Sequence, residues 1–285
     1  MIFLITIPDD YYFTWQLEIQ LYNFNHLGIR KEDIHVLIAY DEQRGLRHYF
    51  TELIETQQNK AHFYTYQDNR KKRNYAPSIR PHLIQQHIKA HPYIEHETIF
   101  YCDTDIIFRE LPDFDTMQKG ASWYVSDTRN YLDSCYIKNI GGNDLFQEMC
   151  ATVGIEPTLV ENNDAHCGGA QYLIKKAPIS LWEKIENDCG LLHDLMQSHN
   201  YLRAENEYIK TGKKRSSYRG IQSWCAEMWA ILWNAWLFGF DVKIHEELDF
   251  CWSMDSIENG KARKYCIIPV TLTKKINNIS ERGII

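Results

Sequence analysis

The sequence predicts an α/β fold, a doubly wound and mostly parallel sheet with helices on both faces. Three observations predict the sheet and its layers. Short, nearly continuous apolar runs recur through the first half. Segments with apolar residues at helical spacing separate them. Turn-forming Pro, Asp and Ser residues punctuate the joins. Strands buried on both faces, alternating with amphipathic helices, are the mark of parallel β-α-β units. Right-handed crossovers then wind the sheet in both directions.

Phe3–Ile7 reads as the first strand, ended by Pro8-Asp9-Asp10. Trp15, Ile19 and Tyr22, with Leu21 and Phe24 beside them, follow at helical spacing. Ile34–Tyr40 is the second strand, Leu46–Ile54 a short helix and Ala61–Tyr66 the third strand. Ser78 is placed to cap a helix whose apolar face is Ile79, Leu83, Ile84 and Ile88. Thr98–Cys102 and Ser122–Val125 are the fourth and fifth strands. Helices are expected over Leu145–Val153, from Ser180 to about Leu202, and over the Trp-rich stretch Trp224–Phe238. A basic loop Lys210–Arg219 lies between the last two, and strands Val242–His245 and Tyr265–Pro269 end the pattern. No repeat or Pro/Gly-rich linker interrupts the chain. One domain over residues 1–285 is therefore expected, with a nucleotide-type site in the half to about 125 and its other wall in the half from 126.

Composition excludes other classes. The chain has 285 residues, 44% of them hydrophobic and 24% charged, which rules out collagen-like, low-complexity and disordered architectures. The eight cysteines contain no C-x-x-C pair and several lie in apolar runs, so buried free thiols in a reducing compartment are expected. The Ile2–Ile7 run is too short for a signal-peptide core, and the longest nearly apolar stretch, Trp229–Phe240, falls short of the roughly 20 residues of a membrane span. The expectation is a cytoplasmic protein with no membrane partner. The net charge of −7 opposes polyanions, yet basic clusters at Arg70–Arg73 and Lys213–Arg219 offer local patches to a phosphate-bearing partner.

Ligands of doubly wound sheets sit at the carboxyl ends of strands. There the sequence places Asp103-Thr104-Asp105, directly after the expected central strand and before a second apolar run. Carboxylates at i and i+2 of an extended segment project to one side. Two like charges so placed are costly to desolvate unless a cation neutralises them, and hard ions such as Mg²⁺ or Mn²⁺ suit oxygen ligands and complete their shells with substrate phosphates. A second D-x-D, Asp113-Phe114-Asp115, lies in a Pro-containing stretch and reads as a solvated turn. Glu227 and Asn234 share one face of an otherwise apolar helix. A carboxylate there must be paired, hydrogen-bonded or functional.

The D-x-D after a buried strand resembles the GT-A-fold glycosyltransferases that use nucleotide-sugar donors. The segment His166-Cys167-Gly168-Gly169-Ala170-Gln171-Tyr172 resembles the small-residue segment that lies beneath the donor sugar in that fold. Trp224-Cys225-Ala226-Glu227-Met228-Trp229 resembles the Glu-Met helix of the hydroxyproline arabinosyltransferases and peptidyl-serine galactosyltransferases. The resemblance implies metal-dependent transfer from a nucleoside-diphosphate sugar, UDP-sugar first, to an acceptor hydroxyl on a peptide, a glycan or a modified DNA base.

It implies Asp103, Asp105 and a late His245 as metal ligands. Asp9, Tyr75, Arg80, Asp103, Thr104, Asp105, Gly168, Gly169 and Gln171 would contact the donor: Tyr75 stacking on the base, Arg80 gripping phosphate, Asp9 on base or ribose, and the glycines letting a sugar ring approach the backbone. Trp224 and Glu227 would contact the acceptor, with Glu227 as general base if the anomeric centre inverts. Two alternatives stand beside this reading. Nucleotidyl transfer on a similar sheet would usually need a Gly-rich loop where Pro8-Asp9-Asp10-Tyr11-Tyr12 stands. A non-catalytic carbohydrate- or nucleic-acid-binding module would need no turnover.

Overall fold

A computed structural model describes residues 1–252, 255, 256, 258 and 263–267. The strands are β1 Ile2–Pro8, β2 Ile34–Tyr40, β3 His62–Gln67, β4 Thr98–Tyr101, β5 Ile106–Phe108, β6 Trp123–Asp127, β7 Gly168–Lys175, β8 Val242–Ile244, β9 Phe250–Cys251 and β10 Tyr265–Ile267. The helices are α1 Tyr12–His26, α2 His48–Gln57, α3 Ile79–Ala90, α4 Phe114–Met117, α5 Arg129–Leu132, α6 Ser134–Gly141, α7 Asn143–Val153, α8 Pro157–Asn162, α9 Ile179–Thr211 and α10 Ala226–Leu237.

Seven strands form the main sheet in the order β3-β2-β1-β4-β7-β6-β8. Only β7 runs against its neighbours, pairing antiparallel with β4 and β6; every other contact is parallel. The doubly wound, mostly parallel expectation holds, and β4 is the central strand. The alternation of side chains sends Leu4, Leu37, Ile99 and Tyr101 into one core layer and Ile5, Val36, Phe100 and Leu173 into the other. The first layer is closed by α3, α9 and α10, the second by α1 and α2.

Several expectations change. The long helix α9 runs to Thr211, well past Leu202, and stops where Gly212 takes a left-handed φ of 71° that a side chain resists. Ser78 precedes α3 but does not cap it; its hydroxyl donates to the Tyr75 carbonyl and accepts from Arg70 Nη1. Tyr265–Ile267 joins β5 and β9 in a separate three-stranded sheet, and Pro269 lies outside the described residues. Cys251 and Cys266, register partners on β9 and β10, form a disulfide, contrary to the expectation of free thiols throughout. The other six cysteines are free, five buried and Cys135 exposed. Among the described residues no helix is long and apolar enough to cross a membrane.

A buried polar cluster joins β2, β3 and α3. His35 Nδ1 lies 3.0 Å from His87 Nε2, and Tyr66 Oη 2.8 Å from His87 Nδ1. One proton per ring satisfies that chain.

Candidate functional site

Asp103 and Asp105 leave the carboxyl end of β4 in the turn to β5. Helix α1 holds this turn from below. Gln20 Nε2 donates to the Asp103 carbonyl at 2.7 Å, and the Thr104 hydroxyl donates to Gln16 Oε1 at 2.6 Å. Both glutamines lie on the buried face of α1. Buried side-chain amides need partners, so two glutamines four apart on an apolar helix face were the legible sign of a supported turn. On the β7 side the Asp103 N–H donates to Gln171 Oε1 at 3.3 Å.

Arg80, in the first turn of α3, binds Asp103 Oδ1 through Nη1 at 2.8 Å, and the same nitrogen lies 3.3 Å from Glu227 Oε2. Its guanidinium rests on the Tyr101 ring, 4.6 Å from the centroid, and the Tyr101 hydroxyl donates to Glu227 Oε1 at 2.6 Å. Burial raises the Glu227 carboxyl above its ordinary range, while Arg80 and Tyr101 oppose the shift. Burial works against the Arg80 charge, and Asp103 and Glu227 outweigh it. These residues form one network from β4 through α3 to the first turn of α10.

Asp105 differs from its neighbour. Burial first, and the Asp103 charge second, push its carboxyl up to about 7. Asp105 Oδ1 is buried without a hydrogen-bond partner, as are Gln171 Nε2 and the Tyr172 hydroxyl. Asp103 itself keeps 39% of its side chain exposed. A buried carboxylate oxygen without a donor, beside an open carboxylate, fits a hard divalent cation. Asp103 and Asp105 would hold such an ion.

The site opens on two sides. One cavity of about 520 Å³ is walled by the end of β1, by Tyr12 and Phe13 of α1, and by Pro77, Arg80 and Asp103. A second, of about 190 Å³, lies between Asp103, Asp105, Ala170, Trp224, Glu227 and Trp252. Ala170, not a glycine, faces this second cavity and carries a left-handed φ of 67°. Strain of that kind at a non-glycine residue gathers at functional sites.

Several assigned roles are corrected. His245 lines neither cavity; its Nδ1 accepts from the Glu247 N–H at 3.2 Å and its ring packs on Tyr124. Among the described residues no group of three His, Cys, Asp or Glu could hold a metal, so His245 does not join the carboxylates. Tyr75 is buried and fully engaged. Its hydroxyl donates to the Trp224 carbonyl at 2.7 Å and accepts from the Glu227 N–H at 2.9 Å, and its ring stacks on His193, so no face is left for a base. It pins the start of α10 instead.

Asp9 stands at the end of β1, but its carboxylate receives both Arg44 Nη atoms at 2.9 and 3.0 Å. Gly168 is required by the sheet: a Cβ there would sit 2.4 Å from the Ser126 carbonyl oxygen, at the β6 bulge. At Gly169 a Cβ would meet the Tyr172 hydroxyl and the Met228 methyl within 2.8 Å. Neither glycine is explained by a sugar. Asn234 donates to Asp188 Oδ2 at 2.9 Å and is structural. The second D-x-D, expected as a solvated turn, starts a short helix instead: Asp113 caps α4, its Oδ1 accepting from the Thr116 N–H at 3.0 Å, and Asp115 lies in the first turn.

The basic clusters do not form one patch. Lys71 and Lys72 border a cavity with Glu183 and Glu186 near the start of α9, whereas Lys213 and Arg215 pair with Glu207 and Glu205 near its end. At 1.5 Å per residue the two groups lie roughly 25 Å or more apart along the helix.

No family model and no curated protein matches the chain. Solved structures share its backbone course at low identity. Galactosyltransferase LgtC in complex with donor and acceptor sugar analogues is 11% identical, with a TM-score of 0.43 over 94% of this chain and 87% of its own. A glycosyltransferase involved in glycosylation of the major capsid of PBCV-1 is 9% identical, with a TM-score of 0.42 over 99% of this chain and 100% of its own. Mouse xyloside xylosyltransferase 1 is 10% identical, with a TM-score of 0.42 over 95% of this chain and 98% of its own.

Proposed function

We propose that the chain is a metal-dependent glycosyltransferase that moves a sugar from a nucleoside-diphosphate sugar, UDP-sugar first, to an acceptor hydroxyl. The observation that carries this reading is the Asp103–Asp105 pair, one carboxylate open and the other buried with an unpartnered oxygen, at the exit of the central strand between two cavities. When bound, Mn²⁺ or Mg²⁺ supplies neutralisation of charge on the leaving diphosphate.

The protein's own groups supply the rest. The 520 Å³ cavity offers Tyr12, Phe13 and Pro77 to a nucleobase, with Asp10 at its rim. Arg80 stands between that cavity and the smaller one, where a guanidinium can meet diphosphate oxygens and hold them in line. Gln171 Nε2 and the Tyr172 hydroxyl are donors without partners on the β7 side, suited to sugar oxygens. Both Glu227 oxygens are engaged, by Tyr101 and Arg80, so Glu227 acts by position: it orients Arg80 and borders the acceptor's approach.

The test is product analysis with a panel of donor nucleotides in Mn²⁺. Release of UDP supports glycosyl transfer, whereas release of pyrophosphate would establish nucleotidyl transfer. Asp103→Ala and Asp105→Ala should each lower UDP release by about 10²–10³-fold, as should a chelator, because the lost stabilisation of developing charge amounts to several kcal/mol. Full turnover in both variants would remove the site.

A further inference from the structure

Resting on that transferase reading, we propose that the acceptor is an oligosaccharide, bound in a groove that starts at Trp252 and runs away from the carboxylates between α5 and β9. Trp252 borders the 190 Å³ cavity that holds Asp103 and Asp105, and it also borders an adjoining open groove of about 600 Å³. One side chain therefore belongs to both the reaction site and the groove beyond it. Trp252 is 47% exposed and Trp224, across the smaller cavity, is 59% exposed. Exposed indoles flanking a polar site present flat faces with a negative quadrupole, to which the apolar C–H faces of a pyranose ring are complementary.

The charge of the groove selects among acceptors. Among the described residues, Asp127, Asp133 and Asp249 face it together with two cations, Arg129 and Arg263. Each cation is already paired. Arg129 donates Nε and Nη2 to Asp127 at 3.0 and 2.6 Å, and Arg263 Nη1 binds Asp249 Oδ2 at 2.9 Å. Nucleic acid draws its affinity from cations free to neutralise phosphates, and the groove has a surplus of one carboxylate. A peptide acceptor needs apolar side-chain pockets or a strand edge long enough to add to; β9, the outer strand beside the groove, has two residues, and among the described residues charged and amide groups form the lining, with Phe250 and Trp252 as its aromatics. Coupled Asp–Arg forks have carboxylate lone pairs and spare guanidinium donors side by side, which is the pattern that vicinal hydroxyls satisfy. The disulfide Cys251–Cys266 ties together the two strands beside Trp252 and Arg263, so this wall is braced covalently.

The test is equilibrium binding of the full chain to a printed glycan array, to a Ser/hydroxyproline-rich peptide and to duplex DNA bearing 5-hydroxymethyl bases. Titration and saturation-transfer NMR then follow with the best mono- and trisaccharide. The trisaccharide should bind about tenfold more tightly than the monosaccharide, because the groove continues past Trp252. Trp252→Ala should weaken trisaccharide binding about tenfold, and Trp252→Phe should keep it within about threefold. Since Trp252 is exposed, loss of folding does not cloud the result, and circular dichroism checks it.

The proposal is overturned if no glycan binds, if peptide or DNA binds and is lost in Trp252→Ala, or if the phenylalanine variant fails like the alanine. UDP release by the wild-type chain reports on the donor site separately. Glycan binding without donor turnover sinks the transferase reading and leaves the groove standing, whereas donor turnover without glycan binding sinks the groove alone.

Discussion

The histidine cluster beneath β2 and β3 and the carboxylate network at the exit of β4 are both buried and polar, but only the first is closed. His35, His87 and Tyr66 use one another's hydrogen-bonding atoms and stay neutral. Burial above all, then the neighbouring imidazoles, hold His35 at about 4 and His87 at about 3. The second network carries full charges and leaves Asp105 Oδ1, Gln171 Nε2 and the Tyr172 hydroxyl unmatched. A closed cluster costs little to bury and does nothing beyond holding the sheet to its helix. An open one costs free energy in the resting protein, which a ligand can return. The difference supports the site proposed at the exit of β4.

Arg80 is the sharpest place to break this comparison. Removing one member of a buried ion pair strands the other. Arg80→Ala should leave Glu227 without its cation and lower stability by about 3 kcal/mol in urea denaturation. Arg80→Lys should recover only part of this, since an ammonium can stand between the two carboxylates but lacks the planar face that rests on Tyr101. A loss well below 1 kcal/mol would show that the guanidinium does not hold the network together.

The closed cluster predicts a pH effect. The unfolded histidines take a proton near 6.5, whereas the folded pair resists until about 4 and about 3. The unfolded state thus binds more protons below pH 6.5, and stability falls as the pH drops from there towards 4. The slope is up to about 1.4 kcal/mol per pH unit for each ring. His62, His91, Asp33, Tyr64 and Tyr66 surround the pair and are left unsubstituted in the test. Urea midpoints at pH 7 and pH 4.5 measure the effect. Replacing His35 and His87 together by glutamine should flatten it, and an unchanged slope would assign the acid sensitivity elsewhere.

The two D-x-D motifs supply the smallest effect. Asp113→Ala removes the cap of α4 and should lower the melting temperature slightly, while UDP release stays at the wild-type level. A collapse of turnover in that variant would mean that the two motifs had been assigned the wrong way round.

The sheet was legible because its strands are apolar on both faces, and a run such as Ile34–Tyr40 has few other fates. The position of Asp103 and Asp105 followed from the strand before them. What the sequence hid was partnership. Nothing local tells that Arg80 will reach Glu227, 147 residues later in the chain, or that the Tyr75 hydroxyl will be used up on the start of α10. Gly168 and Gly169 read as room for a ligand, but the atoms that exclude a Cβ belong to β6, Tyr172 and Met228. Of the small β5-β10-β9 sheet the strand at Tyr265 was legible, whereas β5, β9, their pairing and the disulfide escaped because strands of two or three residues carry no period.

Helix α1 links the two ends of the proposed donor path. Tyr12 and Phe13 wall the larger cavity, and Gln16 and Gln20 grip Thr104 and Asp103 from the same rod. The rise from Tyr12 to Gln20 is roughly 12 Å at 1.5 Å per residue. A rigid spacer of that kind works as a ruler, fixing how far an aromatic ring can sit from the acidic turn. Molecules with a shorter or longer tether between those two ends would be gauged and refused by length alone.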